Sequence, residues 1–180
     1  MEDDDYDFDV DFEPDEIEEE PDDFESRRSE HAFSLDVGWL RELDDEPRSY
    51  ENLELAIHLV DFVKAKDARI LLDSEGGIER EYRNVLRRDS VGWHISEELR
   101  RYFTYASASP TKRTTAQLDK IHFDPSDRKY VVVAQKGEGI YITHETKHVQ
   151  PLVRRHLRLN CGIDVFDRAA VRRYLDSNVS

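Results

Sequence analysis

Short apolar runs alternate with helix-type patterns through residues 31–180. Four such runs indicate buried strands, and they cover residues 31–35, 69–72, 140–143 and 163–166. Apolar side chains also recur at spacings of three and four through residues 50–65, which predicts an amphipathic helix. Short strands that alternate with helices are typical of a parallel sheet covered on both faces. The pattern therefore predicts an α/β domain with three layers, α/β/α, around a central parallel sheet of four to five strands.

Further elements are predicted between and after these strands. They are a helix capped by Asp73 or Ser74, a helix over residues 94–103, a loop over 107–115, a helix over 147–159 and a last helix from Asp167 to Leu175. The segment Tyr130–Val133 is ambiguous, because its β-branched residues favour a strand whereas Asp127 can cap a helix there. Propensity alone predicts a strand.

Charge is concentrated at the start of the chain. Of the 41 acidic and 26 basic side chains, residues 1–30 hold 17 acidic and two basic ones, so residues 31–180 hold 24 of each. This density of like charge opposes compaction and predicts a disordered acidic tail over residues 1–30, followed by one folded domain. Aromatic residues such as Tyr6, Phe8 and Phe12 alternate with the acids, as in tails that bind a protein partner or their own domain. A tail that only solvates the domain is the alternative.

Cysteine content and hydropathy indicate the cellular compartment in which the protein is expected. The one cysteine, Cys161, allows no internal disulfide and indicates a reducing compartment. The N-terminus lacks the apolar stretch of a secretory signal, and no window of 18 residues is continuously apolar. We therefore expect a cytoplasmic protein without a membrane partner. The oligomeric state stays open, with a homo-oligomer as one alternative.

Four acidic residues fall where side chains can reach the carboxyl ends of the strands. They are Asp36 after the first strand, Glu81 in the helix after the second, Asp127 before the Tyr130–Val133 segment, and Glu145 after the run 140–143. Ligands collect at this edge of an open parallel sheet. Carboxylates about 4–6 Å apart repel by several kcal/mol per pair, unless protons or a divalent cation neutralise them. Oxygen ligands suit Mg²⁺ or Mn²⁺, and such a site supports phosphodiester hydrolysis.

The motifs around these acids resemble the PIN-domain (PIN-like) ribonuclease family. The matching segments are Asp36-Val37-Gly38, Ile78 to Tyr82, Asp127 to Ala134, Thr143-His144-Glu145 and the closing Gly162-Ile163. The resemblance covers roughly residues 31–176 and keeps the order and spacing of the elements.

The resemblance implies a Mg²⁺- or Mn²⁺-dependent endoribonuclease and a helix over residues 127–136. The implied metal ligands and catalytic residues are Asp36, Glu81, Asp127 and Glu145, with Thr143 in support. Two positions depart from the pattern, since Gly38 replaces an Asn and Glu145 replaces the commoner Asp. A catalytically weak PIN-like scaffold that binds proteins through its acidic-aromatic tail is therefore the alternative.

The segment from His144 to His148 also matches H-E-x-x-H, the zinc-protease motif in which Glu145 would act as base. That motif requires a helix, whereas residues 140–143 are predicted to enter it as a strand. No glutamate follows Glu145, and His156 lacks the spacing of a third histidine ligand. The context favours a chance match over a zinc metalloprotease.

An RNA substrate would need cationic side chains beside the acids to hold its phosphates. The candidates for nucleic-acid binding are Arg80, Arg83, Arg87, Arg88, Lys112 and Arg113. Ordinary surface ion pairs are the alternative for each of them. The acidic tail is a candidate nucleic-acid mimic that would occupy this surface and restrain the nuclease.

Overall fold

Five parallel strands form one sheet in the part of the chain that the structure describes, residues 31–45 and 50–178. The structure is a computed structural model. The strands are β1 (Ala32–Leu35), β2 (Arg69–Asp73), β3 (Phe103–Ala106), β4 (Ile140–Ile142) and β5 (Asp164–Phe166), in the order β3-β2-β1-β4-β5. Each neighbouring pair is parallel. The predicted acidic tail lies outside the described residues.

Nine α-helices accompany the sheet within the same ranges. They are α1 (Val37–Arg41), α2 (Tyr50–Lys66), α3 (Gly77–Val85), α4 (Val91–Leu99), α5 (Lys112–Lys120), α6 (Arg128–Ala134), α7 (Thr146–Val149), α8 (Pro151–Cys161) and α9 (Arg168–Asn178). In the described part of the chain, none of them has the length and apolar character needed to cross a membrane.

Both faces of the sheet are covered. Ile70, Leu71 and Leu72 follow one another in β2 and are at most 1% exposed, and all three residues of β4 are buried. Because successive strand residues point to opposite faces, other elements must pack on each face. The predicted α/β class with a parallel sheet is confirmed, and the arrangement is compatible with three layers.

The ambiguous segment Tyr130–Val133 is helical and belongs to α6. Its residues Tyr130–Ala134 are all buried, and the helix contacts β1, β2 and β4. A short helix enclosed in this way is apolar all round, so its composition resembles that of a buried strand. The helix implied by the family resemblance is therefore confirmed, and propensity alone is misleading here.

Strand β3 is missing from the sequence prediction. The helix predicted over residues 94–103 is wrong at its end, because α4 stops at Leu99 and a 3₁₀ turn leads into β3 at Phe103. β3 lies at an edge of the sheet and is mostly half-buried, so no apolar run marks it. Its pairing with β2, from Ile70 opposite Phe103 onward, decides its conformation.

The loop predicted over residues 107–115 is also partly wrong, because α5 begins at Lys112. The hydroxyl of Thr111 caps this helix by accepting a hydrogen bond from Thr114 N at 3.0 Å. Only Thr114 and Leu118 of α5 are buried, which left almost no hydrophobic pattern to detect.

Two side chains fix α3 at the end of the sheet where the candidate acids lie. The Asp73 carboxylate accepts hydrogen bonds from Gly77 N at 2.6 Å and Ile78 N at 2.5 Å, so the predicted cap is confirmed. The hydroxyl of Tyr82 donates to Leu35 O at 2.5 Å. These contacts hold α3, and with it Glu81, beside the end of β1.

Candidate active site at the carboxyl edge of the sheet

Asp36 directly follows β1, and its side chain is buried at 6% exposure. Its carboxylate accepts hydrogen bonds from Gly38 N at 2.9 Å, Thr143 Oγ1 at 2.7 Å and Tyr141 OH at 3.3 Å. The bond from Gly38 caps α1. A buried carboxylate needs such donors because its desolvation is costly. Asp36 is therefore fixed where β1 and β4 end, which we call the carboxyl edge.

Thr143 connects Asp36 with Glu145. Its buried hydroxyl donates to Asp36 and accepts a hydrogen bond from Glu145 N at 3.1 Å. The Glu145 side chain is 39% exposed. Thr143 thus connects the two acids through its hydroxyl group, and Glu145 is the most accessible of the four acids.

Asp127 lies just before α6, and its carboxylate faces a lysine and a histidine of α7. Its carboxylate is 3.1 Å from Lys147 Nζ and 3.4 Å from His148 Nε2. Burial lowers the pKa of His148 although Asp127 acts in the opposite direction. Burial also opposes the charge on Lys147, but hydrogen bonds to Asp124 and Asp127 outweigh it and raise the pKa of Lys147. Lys147 therefore stays cationic beside Asp127.

Glu81 on α3 is held by α6. Its Oε2 atom is 2.6 Å from Lys129 Nζ and accepts a hydrogen bond from Tyr130 OH at 3.2 Å. The ammonium group of Lys129 compensates the charge of Glu81 at a site that is only partly exposed.

The four acids surround a tyrosine–histidine cluster made of Tyr130, Tyr141 and His148. The Tyr130 and Tyr141 rings stack with centroids 5.8 Å apart, and Tyr141 OH lies 3.3 Å from His148 Nδ1. Burial, with a further contribution from Asp36, raises the pKa of both tyrosines. The phenols therefore stay protonated. Glu81 contacts Tyr130, Asp36 contacts Tyr141, Asp127 contacts His148, and Glu145 joins through Thr143.

The fit of a metal ion to this site is partial. Among the described residues, no three His, Cys, Asp or Glu side chains form a group that could hold one metal ion. The donor chemistry of four carboxylates nevertheless suits Mg²⁺ or Mn²⁺. Lys129 and Lys147 occupy the cation positions beside Glu81 and Asp127. Both ammonium groups would have to move for a divalent ion to enter. The 49% exposure of Lys147 permits its displacement, whereas Lys129 is only 24% exposed.

Gly38 is required by the position of His144. A Cβ atom at Gly38 would lie 2.1 Å from His144 Cε1, so the imidazole fills the space where any other residue would place its side chain. The Nδ1 atom of His144 is buried and has no hydrogen-bond partner among the described residues. Gly38, which stands where the PIN-like pattern has an Asn, therefore leaves room for the ring of His144, the residue before Glu145.

The H-E-x-x-H segment does not form a zinc-protease helix. His144 precedes α7, which begins at Thr146 and has four residues. His148 is buried, with its ring stacked on Phe123 at 4.3 Å. The predicted non-helical start of this motif is confirmed.

The predicted RNA-binding cations fall into two groups. Arg80, Arg83, Arg87 and Arg88 are exposed on or just after α3, which also carries Glu81. Lys112 and Arg113 begin α5, and Arg113 lines a cavity beside Lys136 and Gly162. Gly162 precedes β5, so this second group lies at the opposite edge of the sheet. The structure does not bring Lys112 and Arg113 to the acids.

Several residues of the site were not singled out by sequence reasoning. They are Lys129, Tyr130, Tyr141, Lys147 and His148 as partners of the acids. One signal was available: a tyrosine between two isoleucines in a buried strand carries a hydroxyl that needs a partner inside the protein. No such signal distinguishes Lys129 from the exposed lysines.

Comparisons with protein-family models, with curated proteins and with solved structures found no match. The family resemblance therefore remains a prediction from the sequence motifs.

Proposed function

We propose that this chain is a PIN-like, three-layer α/β/α ribonuclease that hydrolyses RNA phosphodiester bonds with Mg²⁺ or Mn²⁺. The observation that supports it is the placement of Asp36, Glu81, Asp127 and Glu145 around one tyrosine–histidine cluster at the carboxyl edge. This edge is where open parallel sheets bind ligands. The single cysteine agrees with action in the cytoplasm.

The residues of the candidate site would have three roles: metal binding, orientation of the acids and binding of RNA phosphates. Asp36, Glu81, Asp127 and Glu145 would hold the ion, which supplies an activated water and stabilises charge on the phosphate. Thr143 orients Asp36 and Glu145, and Tyr141 keeps Asp36 in place. The exposed arginines on and after α3 would bind RNA phosphates next to Glu81.

The test is metal-dependent cleavage of a mixed RNA pool. Asp127→Asn keeps the shape of the side chain and removes its charge, so we expect it to abolish cleavage. Asp176→Asn, an exposed change on α9, is the matched control and should cleave like the unchanged protein. Equal cleavage by the Asp127→Asn variant would refute the proposal.

A catalytically weak PIN-like scaffold is the second candidate. The observation that favours it is the presence of Lys129 and Lys147 at 2.6 Å and 3.1 Å from two of the acids, which neutralises them without a metal. In that case the full-length protein would not cleave RNA with either metal. Binding of a protein partner through the acidic tail would then survive Asp127→Asn.

A further inference from the structure

A cavity of about 480 Å³ lies away from the candidate active site. It is open to solvent and lies between the start of α5, the end of α6 and the end of α8. Its polar lining includes Ser109, Arg113, Gln135, Lys136, Arg158 and Asn160. The end of α6 leads through Gly137 and Glu138 to the start of β1, because Glu138 N donates to Ala32 O at 3.0 Å. The cavity therefore lies at the amino edge of the sheet, where the strands begin.

The lining of this cavity is cationic. It contains Arg113, Lys136 and Arg158 and, among the described residues, no aspartate or glutamate. Arg113 forms no ion pair with the described residues. Arg158 is 3.4 Å from Asp164, but both side chains are at least half exposed, so this pair adds little. Arg113 thus offers positive charge that no ion pair of the described domain neutralises, in a lining that contains no acidic side chain among the described residues.

An apolar side chain borders the same cavity. Leu159 lines it and is 69% exposed. A ligand that fits this surface would combine several negative charges with apolar groups, since carboxylates match the cations and an aromatic ring can cover Leu159.

The chain itself carries such a ligand and delivers it to this edge. Residues 1–30 have 17 acidic side chains and two basic ones, and aromatic residues alternate with the acids near Phe8. They join the domain at β1, whose first residue, Ala32, lies against the loop that follows Lys136: a Cβ at Gly137 would be 2.6 Å from Ala32 O. Ten extended residues cover about 33 Å, so the segment is long enough to reach the cavity.

We propose that residues 1–30 dock in the cationic cavity at the amino edge, with their carboxylates against Arg113, Lys136 and Arg158. At the carboxyl edge, Lys129 and Lys147 are already paired with Glu81 and Asp127, whereas no acidic side chain among the described residues lines the cavity. The tail then leaves the candidate active site open, in contrast to a nucleic-acid mimic that lies over the arginines of α3. This inference does not depend on nuclease activity.

Paramagnetic broadening in the full-length chain tests the proposal. A nitroxide is attached to a cysteine introduced by Val10→Cys, in a background where Cys161→Ser removes the native thiol. In low salt we expect loss of the amide NMR signals of residues 109–114, 135–136 and 158–162, with those of 36–40 and 80–88 retained. About 0.5 M NaCl should restore the lost signals, since it screens the charges.

Charge-reversal variants provide the matched comparison. The double change Arg113→Glu with Lys136→Glu should restore the cavity signals, whereas Arg87→Glu with Arg88→Glu should leave them broadened. If the first variant does not fold, as judged by amide chemical-shift dispersion, Asp→Asn changes at positions 3, 4, 5, 7, 9 and 11 lower the net charge of residues 1–30 from −15 to −9. These changes leave the domain intact and should weaken the broadening at the cavity.

Three outcomes would overturn the proposal. One is the absence of broadening at the cavity in low salt. Another is broadening centred on residues 80–88, which would place the tail on the predicted RNA surface. A third is broadening that arises only between a spin-labelled chain and a separate isotope-labelled chain, which would make it a contact between two copies.

Discussion

Replacing Tyr141 by Phe tests whether the tyrosine–histidine cluster stabilises the acids around it. The Tyr141 side chain is fully buried, and its hydroxyl lies 3.3 Å from both Asp36 Oδ2 and His148 Nδ1. Phe keeps the ring that stacks on Tyr130, so packing is preserved. The change removes one donor to a buried carboxylate and leaves the imidazole without its hydroxyl partner.

The expected loss follows from the geometry. A hydrogen bond to a charged group contributes about 1.5–3 kcal/mol, and a length of 3.3 Å places this one at the low end. Asp36 keeps its bonds from Gly38 and Thr143, so its charge is not left unpaired. We therefore expect the free energy of unfolding to fall by about 1–2 kcal/mol. Urea unfolding followed by circular dichroism measures this as a lower midpoint at unchanged slope.

Tyr105→Phe is the matched control. Tyr105 is 49% exposed, and its hydroxyl donates to Glu79 at 3.0 Å in contact with solvent. Its removal should change the free energy of unfolding by about 0.5 kcal/mol or less. An unchanged midpoint for Tyr141→Phe, or an equal loss in both variants, would refute the stabilising role of the cluster.

Two other substitutions test local contacts by the same unfolding measurement. Gly38→Ala should cost about 1–3 kcal/mol by overpacking against His144, and most of that cost should vanish when His144→Ala is already present; equal costs in both backgrounds would contradict the contact. For Asp167, burial raises the pKa of the carboxyl group, but a hydrogen bond from Ala170 N and the ion pair with Arg154 outweigh it and lower the pKa below its ordinary value of 3.8. The ionised carboxylate therefore stabilises the fold above that pH, and this stabilisation is lost as the pH falls. Asp167→Ala should lower the free energy of unfolding by about 1 kcal/mol at pH 7 and by progressively less below about pH 4. A difference from the unchanged protein that does not vary with pH would contradict the cap.

The placement of the acids at one edge of the sheet was predictable because it depends on topology. Parallel strands end at one edge, so a residue directly after a strand, such as Asp36 or Thr143, must lie there. The caps formed by Asp73 and Asp167 were predictable for a similar reason, since a carboxylate before a helix finds free backbone N–H groups.

The partners of the acids were not predictable, because they depend on how helices from distant parts of the chain pack together. Lys129 meets Glu81 across 48 positions of sequence, and only the packing of α3 beside α6 brings them to 2.6 Å. The same holds for β3, whose conformation comes from its pairing with β2 and not from its own composition. Sequence motifs therefore indicated which acids lie at the carboxyl edge, but not the lysines that pair with Glu81 and Asp127.

The distribution of charge over the two edges of the sheet makes the two proposals independent. The candidate active site concentrates carboxylates at the carboxyl edge, whereas Arg113, Lys136 and Arg158 surround a cavity at the amino edge. A strand of four residues is about 13 Å long, which exceeds the Debye length of about 8 Å at physiological salt. Exposed charges at one edge are therefore largely screened from the other. At physiological salt, Asp127→Asn should therefore leave the docking of residues 1–30 unchanged. Reversal of the charges of Arg113 and Lys136 should leave RNA cleavage unchanged, because the tail does not cover the candidate site. An RNA-cleavage result that refutes the nuclease proposal therefore leaves the docking proposal standing. A paramagnetic-broadening result that refutes docking likewise leaves the nuclease proposal standing.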